Sequence, residues 1–352
     1  MKNRIEIIII MSLLICFSLF TALNDKTISY EERRYLAKFP NIKSKTFFDD
    51  LDKYLTDHFV FRNDFRKMKA NISNNILLMK DMNGIFDIDG YIFEIDDRID
   101  EKSVNNITNT INEIKDKYFK NQDAYMFVIP RKNDYLANPN PLDYKYQDIF
   151  KMIEDKLDIE TISLYDELSL DSYYKTDIHF RQNKLDKVVD KIFDVTRFTQ
   201  NKVDYKYNTF SPFYGALYSK AATNMKADEL VYMTSDKLEG VSVYDLEKNK
   251  QVPIYDVNEL GKIDSYNVYV DGPSAYLEII NDNVDNGQEL IIFRDSYTSS
   301  LLPLLMPSFE KIQVVDLRYY NKKLLDNLDF SDKAKVLFIY GLEVINNSYS
   351  IK

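Results

Sequence analysis

Residues 289–300 have the sequence Glu-Leu-Ile-Ile-Phe-Arg-Asp-Ser-Tyr-Thr-Ser-Ser. The run to Phe293 predicts a strand buried on both faces, because it is continuously apolar rather than alternating. Residues 297–306 predict a short helix that begins just after Ser296. We therefore expect Ser296 at the carboxyl-terminal edge of a parallel sheet, where α/β proteins usually place their sites. A helix N-terminus there also offers free N–H groups to an oxyanion.

Strands and helices alternate along much of the rest of the chain. The predicted strands are 125–129, 161–165, 312–315 and 336–340. The predicted helices are 104–118, 145–157 and 182–193. Alternation of this kind predicts an α/β fold, with a parallel sheet flanked by helices.

Three regions lie outside that alternation. Apolar residues at helical spacing from Thr46 to Met79 predict two helices broken near Val60. Gly84–Glu94 predicts a hairpin that turns at Asp89-Gly90. Residues of about 200–285 contain short β-like stretches separated by Asn, Asp, Gly and Pro, at 230–233, 241–244, 266–270 and 275–280. They indicate either a β-rich insertion or a further part of the same domain.

The N-terminus indicates export. Lys2 and Arg4 precede an apolar run that ends at Leu23, which is typical of a signal peptide or a signal anchor. We expect an uncleaved anchor, with a cleaved peptide as the alternative. The positive-inside rule places everything after the anchor outside the cytoplasm. Residues 24–45 are polar and predict a tether, and 46–352 are expected to form the catalytic domain.

Composition excludes several classes of function. The 352 residues carry a formal net charge of −10, so no basic surface for nucleic acid is expected. A single cysteine and two histidines exclude a disulfide framework and a four-ligand Cys/His zinc site. No metal site, phosphate-binding glycine loop or cofactor is predicted. Histidine catalysis must use His58 or His179, and His58 is expected to be a packed helix residue.

Asp177 and His179 lie two residues apart. In an extended segment their side chains point to the same side, so the carboxylate can orient the imidazole as in a Ser-His-Asp triad. An exposed pair without a function is the alternative, and Asp295-Ser296 could simply be a helix N-cap. Together, Asp177, His179 and Ser296 supply the three members of a triad.

At this point the sequence resembles the DHHW protein family of Gram-positive bacteria. The resemblance lies in Tyr174-Lys-Thr-Asp-Ile-His-Phe180, in Asp295-Ser-Tyr-Thr-Ser-Ser300 and in Asp316-Leu-Arg-Tyr-Tyr320, and it extends over about 54–340. The family is similar to the SGNH-like acyltransferases of alginate O-acetylation. Ile178 stands where the family pattern has a second histidine, and Phe180 where it has a tryptophan.

The resemblance implies an extracytoplasmic O-acetyltransferase with an SGNH-hydrolase-like fold. Ser296 would be the nucleophile, His179 the general base and Asp177 its orienter. The acceptor would be a cell-surface or secreted polysaccharide. The acetyl donor would be a multispanning membrane-bound O-acyltransferase. A carbohydrate acetylesterase with the same triad, or a glycan-binding or assembly protein of the same fold, are the alternatives.

Several residues are candidates for contact with the substrate. The Ser296 N–H and Gly215 are expected oxyanion donors, although Gly215 could also be only a turn residue. Arg318, two residues after Asp316, is expected to bind the glycan or to form a buried structural ion pair. An aromatic group forms either a sugar-stacking wall or part of the core: Tyr173, Tyr174, Phe180, Tyr297, Tyr319 and Tyr320.

Overall fold

The computed structural model describes residues 2–22, 26–75, 84–137, 143–221 and 225–351. The α-helices of these ranges are α1 (Lys2–Ala22), α2 (Phe47–His58), α3 (Arg62–Asn75), α4 (Glu101–Tyr118), α5 (Tyr146–Glu154), α6 (Asp186–Thr196), α7 (Ala216–Ala221), α8 (Thr298–Leu305) and α9 (Leu342–Ile345). The strands are β1 (Ile28–Ser29), β2 (Arg34–Tyr35), β3 (Ile85–Ile88), β4 (Tyr91–Glu94), β5 (Ala124–Ile129), β6 (Glu160–Ser163), β7 (Lys206–Phe213), β8 (Asp228–Thr234), β9 (Val241–Asp245), β10 (Lys250–Val252), β11 (Tyr276–Asn281), β12 (Glu289–Arg294), β13 (Lys311–Val315) and β14 (Lys335–Gly341).

Eight strands form the main sheet, in the order β10-β9-β11-β13-β12-β14-β5-β6. The five strands from β13 to β6 are parallel, and β11, β9 and β10 continue the sheet antiparallel. This arrangement confirms the predicted α/β fold. Counted from β12, the parallel strands have the spatial order 2-1-3-4-5, which is common in doubly wound proteins. Strands β5 and β6, which come first in the sequence, hold the fourth and fifth places in this order. The order reverses between β12 and β14.

Helices cover both faces of the sheet because its central strands are apolar on both sides. Leu290 and Ile292 belong to the cluster that contains α6 and α8. Ile291 and Phe293 belong to the cluster that contains α4 and α5. Alternate residues of β12 thus contact opposite helical layers, as the period of a strand requires.

The region 200–285 is divided between two structures. Strands β9, β10 and β11 extend the main sheet, whereas β7 and β8 pair separately as a hairpin. The predicted strand at 266–270 is wrong, because Ser265–Val268 form a 3-10 helix. Its start is fixed by Asp264, whose carboxylate accepts a hydrogen bond from the Tyr266 N–H.

The N-terminal part contains the predicted helices and hairpin. Helices α2 and α3 are separated near Val60, and β3 pairs with β4 through a turn at Asp89 and Gly90, both with positive φ. The predicted helix residues 76–79 lie outside the described residues. The segment expected to be a tether contains the short hairpin β1–β2 and is bound to α2, where Arg34 forms a bidentate ion pair with Asp57.

Helix α1 is long and apolar enough to cross a membrane. Its window Arg4–Thr21 has a mean hydropathy of 2.1, and a cleaved signal sequence would have the same character. The helix contacts the corner between α2 and α3, where the Phe17 ring stacks on Phe59 with centroids 5.9 Å apart. The Val60 N–H donates a hydrogen bond to Thr21 Oγ1, with 3.4 Å between the nitrogen and the oxygen.

Substitution of Phe293 tests the core packing around β12. It is fully buried and its ring stacks on Phe338 at 4.9 Å. We expect Phe293→Ala to lower the free energy of unfolding by about 3–5 kcal/mol, because it removes apolar contacts and leaves a cavity. Phe48 is 81% exposed, so Phe48→Ala is the control and should cost less than about 0.5 kcal/mol. Urea unfolding of the detergent-solubilised chain measures the free energy of unfolding of both variants. An equal loss of stability in the two variants would contradict the packing of Phe293.

Candidate active site

Asp177, His179 and Ser296 form one hydrogen-bonded chain. Asp177 Oδ1 lies 2.6 Å from His179 Nδ1, and His179 Nε2 lies 2.8 Å from Ser296 Oγ. The carboxylate is buried, whereas His179 and Ser296 are partly exposed. These are the contacts that a serine nucleophile, its general base and an orienting acid require.

The turn that carries Ser296 is fixed by the buried carboxylate of Asp295. Its Oδ1 accepts from the Tyr297 N–H at 3.0 Å, and its Oδ2 accepts from the Gly341 N–H at 2.7 Å. The second bond ties the end of β12 to the end of β14. A Cβ on Gly341 would lie 2.6 Å from the Tyr297 ring, so only glycine permits this approach.

Arg294 lies beneath the same turn and is fully buried. Its Nη1 donates to Ser299 Oγ at 2.7 Å, which holds the first turn of α8 against the end of β12. Burial lowers the pKa of Arg294. A large, fully buried side chain therefore precedes Asp295 in this turn.

The loop with Asp177 and His179 turns back on itself. Tyr173 and Phe180 form an isolated antiparallel bridge, and the Tyr174 N–H donates to the His179 carbonyl at 3.1 Å. The Nζ of Lys132, which follows β5, donates to three backbone carbonyls inside the loop, those of Tyr174, Lys175 and Asp177. Lys132 thereby fixes the loop to the carboxyl end of β5.

Three hydrogen-bond donors and one cation surround the Asp177 carboxylate. The donors are His179 Nδ1, the His179 N–H at 3.0 Å and the Ala216 N–H at 2.6 Å, and the Arg33 guanidinium forms an ion pair at 3.6 Å. Burial opposes ionisation, but the charge and hydrogen bonds of His179 and the charge of Arg33 outweigh it and lower the pKa of Asp177. The acid is therefore held as a carboxylate.

Two other buried groups have shifted pKa values. Burial lowers the pKa of Lys132 to about 7, against the opposing charges of Asp177, Asp228 and Glu343. Burial raises the pKa of Glu343, in α9 directly after β14, to about 7. The Tyr297 hydroxyl donates to Glu343 Oε1 at 2.9 Å, so this carboxyl group also contacts the residue after Ser296.

Tyr266 covers the imidazole. Its ring stacks on His179 with centroids 4.1 Å apart and planes within 14°. Its hydroxyl lies 2.9 Å from Ser300 Oγ in α8. A residue of the 200–285 region therefore fixes the orientation of the general-base candidate.

The oxyanion role expected for Gly215 is not supported. Its N–H donates to Thr176 Oγ1 at 3.0 Å and is not free for a substrate. A Cβ at this position would lie 2.3 Å from Asp177 Cβ and 2.4 Å from the Thr176 carbonyl oxygen. Gly215 is required because the start of α7 packs directly on the backbone of the triad acid.

The sugar-stacking role expected for Tyr174, Phe180 and Tyr297 is also not supported. All three side chains are buried in the protein, so none presents a ring face to a ligand. Tyr174 accepts a hydrogen bond from the Val231 N–H, and Phe180 packs on Tyr297 at 4.9 Å. Core packing, the alternative considered from the sequence, describes these residues.

Arg318 and His58 lie in structural contacts. Arg318 forms two hydrogen bonds with the Asp316 carboxylate, from Nε at 2.9 Å and Nη2 at 2.7 Å, which is the ion pair considered from the sequence. His58 is buried in α2, and its Nε2 lies 2.9 Å from the Ala37 carbonyl oxygen.

Sequence reasoning did not include Arg33, Lys132 or Tyr266 in the site. A signal exists only for Lys132, since it follows the apolar strand β5 at the same sheet edge as Ser296. Arg33 belongs to a polar stretch without a pattern, and Tyr266 was assigned to a strand.

A polar cavity of about 430 Å³ lies at this sheet edge, next to the triad loop. Ile178, between the triad acid and base, forms part of its wall. Most of the remaining lining residues are polar or charged, among them Asp96, Asp97, Arg98, Lys132, Glu343 and Asn346. Within the described ranges, no three His, Cys, Asp or Glu side chains lie close enough together to hold a metal ion.

Comparison with known proteins gives one family match. Residues 173–315, which include Asp177, His179 and Ser296, match the DHHW protein family. The match confirms the resemblance inferred from Tyr174–Phe180 and Asp295–Ser300. No curated protein matches the chain by sequence.

Solved structures share the fold at low sequence identity. A DHHW family protein from Eubacterium siraeum is similar with a TM-score of 0.65 and 22% identity, covering 77% of this chain and 95% of that one. PatB1 from Bacillus cereus gives 0.59 and 18%, covering 74% and 96%. The O-acetyltransferase domain of AlgJ from Pseudomonas putida gives 0.45 and 10%, covering 75% and 92%. The similarity to the first two establishes the SGNH-like fold.

The shifted pKa of Lys132 makes a prediction for stability. The folded chain releases the Lys132 proton near pH 7, whereas an unfolded lysine keeps it to about pH 10.4. Between pH 7 and 9 the unfolded state binds more protons, so this group makes stability rise with pH by up to about 1.4 kcal/mol per unit. Lys132→Met should reduce the slope of unfolding free energy against pH.

Lys206→Met is the control, since Lys206 is exposed and distant from the triad. Urea unfolding of the full chain at pH 7, 8 and 9 measures each slope. Equal slopes for Lys132→Met and the wild type would contradict a depressed pKa, whatever the absolute stabilities.

Proposed function

We propose that the protein is an extracytoplasmic O-acetyltransferase that acts on a cell-surface or secreted polysaccharide through an acetyl-serine intermediate. The observation that carries the proposal is the hydrogen-bonded chain from Asp177 through His179 to Ser296. The SGNH-like fold and the match to the DHHW family support it.

The reaction has two half-reactions. Ser296 Oγ attacks the carbonyl carbon of the acetyl donor while His179 Nε2 accepts its proton, and the same proton passes to the leaving group as its bond to the acetyl carbon breaks. A sugar hydroxyl then attacks the acetyl-serine, and His179 takes the hydroxyl proton and returns it to Ser296 Oγ. Asp177 stabilises the imidazolium in both steps.

The Ser296 N–H is the proposed oxyanion donor. It makes no hydrogen bond to the described residues, whereas the next N–H, that of Tyr297, is occupied by Asp295. The N–H lies at the start of α8, where the helix dipole favours negative charge on the tetrahedral intermediate.

The polar cavity beside Ile178 is the proposed acceptor site. It lies at the carboxyl ends of β5 and β14, next to the point where the strand order reverses, which is where open α/β sheets bind ligands. Its cations, such as Arg98, and its carboxylates, such as Asp97, offer both donors and acceptors to sugar hydroxyls.

Helix α1 is the proposed uncleaved anchor. Its contact with Phe59 places the α2–α3 corner beside the membrane segment, and Phe61 and Phe65 of the same corner are exposed. Exposed aromatic rings beside a membrane-spanning helix are typical of the membrane–water interface. The site is thereby held close to the proposed acetyl donor, a multispanning membrane-bound O-acyltransferase.

Intact-protein mass spectrometry tests the acetyl-serine. The detergent-solubilised chain, incubated with an activated acetyl ester, should gain one acetyl group that maps to Ser296, or release acetate as the intermediate hydrolyses. Ser296→Ala should abolish both, and His179→Ala should slow acylation at least 100-fold. Since PatB1 has been solved with a sulfonyl adduct, a sulfonyl fluoride is a second probe.

Ser242→Ala, in β9, is the matched control and should behave as the wild type. Undiminished turnover in Ser296→Ala would exclude the triad. Acetyl groups on an added oligosaccharide distinguish a transferase from an acetylesterase, which yields only acetate.

The acceptor site makes a separate prediction. Asp97→Ala and Arg98→Ala should each raise KM for an oligosaccharide acceptor about fivefold, as expected for the loss of one hydrogen bond. The rate of acylation by a small ester should stay unchanged, because neither side chain contacts the triad. Asp236→Ala, an exposed residue far along the chain, is the control. A fall in acylation rate with unchanged KM would contradict this assignment.

A further inference from the structure

The segment between the membrane helix and α2 reaches the triad through one side chain. Arg33 Nη1 lies 3.6 Å from Asp177 Oδ2, on the carboxylate oxygen that His179 does not use. Its Nη2 pairs with Asp264 at 2.6 Å, and its Nε donates to the Ile263 carbonyl at 3.1 Å. Only 14% of the Arg33 side chain is exposed.

The backbone of Arg33 is in an unusual conformation. Arg33 ends the turn between β1 and β2 with a φ of 51°, in the left-handed region. Glycine is the residue that this conformation favours, and another residue there costs of order 1 kcal/mol. The chain has arginine at this position, and its side chain contacts the triad acid.

A second route leads from Arg33 to the general base. Asp264, which pairs with Arg33, also accepts a hydrogen bond from the Tyr266 N–H. Tyr266 is the ring that stacks on His179. Arg33 therefore contacts both the acid of the triad and the loop whose aromatic ring covers the base.

The segment is held in place by contacts other than those of Arg33. Arg34 pairs with Asp57, and the Asp57 carboxylate also accepts from the Ala37 N–H at 2.8 Å. Glu32 forms ion pairs with Arg62 and Arg66 of α3. Removal of the Arg33 side chain therefore leaves the segment bound to α2 and α3.

We propose that Arg33 is a positioning residue of the triad, and that the membrane-proximal segment 26–37 is part of the active site rather than a passive tether. Arg33 acts through Asp177, whose carboxylate it orients and partly neutralises, and through the Asp264–Tyr266 loop. The description of Asp177 and His179 as catalytic rests on the proposed function, whereas the contact itself does not.

Removal of Arg33 should strengthen proton binding by His179. Without the guanidinium, the full negative charge of Asp177 acts on the imidazolium, so the titration midpoint of His179 should rise by roughly 0.5–1 pH unit. Other charged groups face this pair from neighbouring elements: Lys132 after β5, Asp228 of β8, Asp264 before the 3-10 helix, Asp295 after β12 and Glu343 of α9. Each remains unchanged in Arg33 variants.

The chain has two histidines, which makes the measurement direct. The full chain, labelled at histidine Cε1 with ¹³C and held in detergent micelles, gives two imidazole signals, assigned with His58→Gln and His179→Gln. Arg33→Ala should raise the His179 midpoint, and Arg33→Lys, which keeps the charge, should restore at least half of the shift. Lys38→Ala is the control, since Lys38 is exposed directly beside this segment.

The His58 signal reports whether the segment stays bound, because His58 contacts Ala37 of that segment. A raised His179 midpoint in Arg33→Ala, with His58 unchanged, supports the proposal. An unchanged midpoint, or an equal shift in Lys38→Ala, overturns it.

Kinetics provide the second readout. Arg33→Ala should lower the acylation rate about tenfold and move the acid limb of its pH profile upward by the NMR shift, with KM for the oligosaccharide unchanged. An acylation rate and acid limb equal to those of the wild type overturn the positioning role. If the wild type itself forms no acetyl-serine, the proposed function fails, and the NMR comparison still decides the role of Arg33.

Discussion

The charge on Asp177 is the constraint on which the site depends. A buried carboxylate costs several kcal/mol unless it is paired and hydrogen-bonded. Its partners come from several parts of the chain: His179 in the same loop, Ala216 at the start of α7 and Arg33 after α1. The carboxylate can be buried and stay ionised only when these segments are in place, so the geometry of the site depends on the assembly of the whole domain.

The order of the strands explains why a ligand site can form beside Ser296. Ser296 follows β12 and Glu343 follows β14, and the order of the sheet reverses between these two strands. Helices on opposite faces diverge at such a point and leave a crevice at the carboxyl ends. The hydrogen bond from the Gly341 N–H to Asp295 joins the two strand ends at this point.

Local patterns were enough to predict the sheet and the proximity of Asp177, His179 and Ser296, and tertiary contacts decided what the sequence did not reveal. The apolar run to Phe293 predicts a buried strand, and the i, i+2 spacing predicts that Asp177 and His179 point to the same side, without any knowledge of tertiary contacts. The need for Gly215 arises from a contact with Asp177, 38 residues earlier by their numbers. In a chain with 27 tyrosines and 22 phenylalanines, composition cannot distinguish buried rings such as Tyr174 from rings that face a ligand. Residues 266–270 were predicted as a strand from their apolar residues, but Asp264 caps a helical turn there.

The permuted order of the strands also sets the order in which the sheet can assemble. Synthesis proceeds from the N-terminus, so Arg33 and the Asp177–His179 loop are made before Ser296. The central strands β12 and β14 are the last to arrive, and the sheet has no middle until they do. Domains fold as units during synthesis. A chain made only as far as β11 thus has Asp177 and His179 without Ser296, and the hydrogen-bonded chain of the three residues can form only once nearly the whole polypeptide has been made.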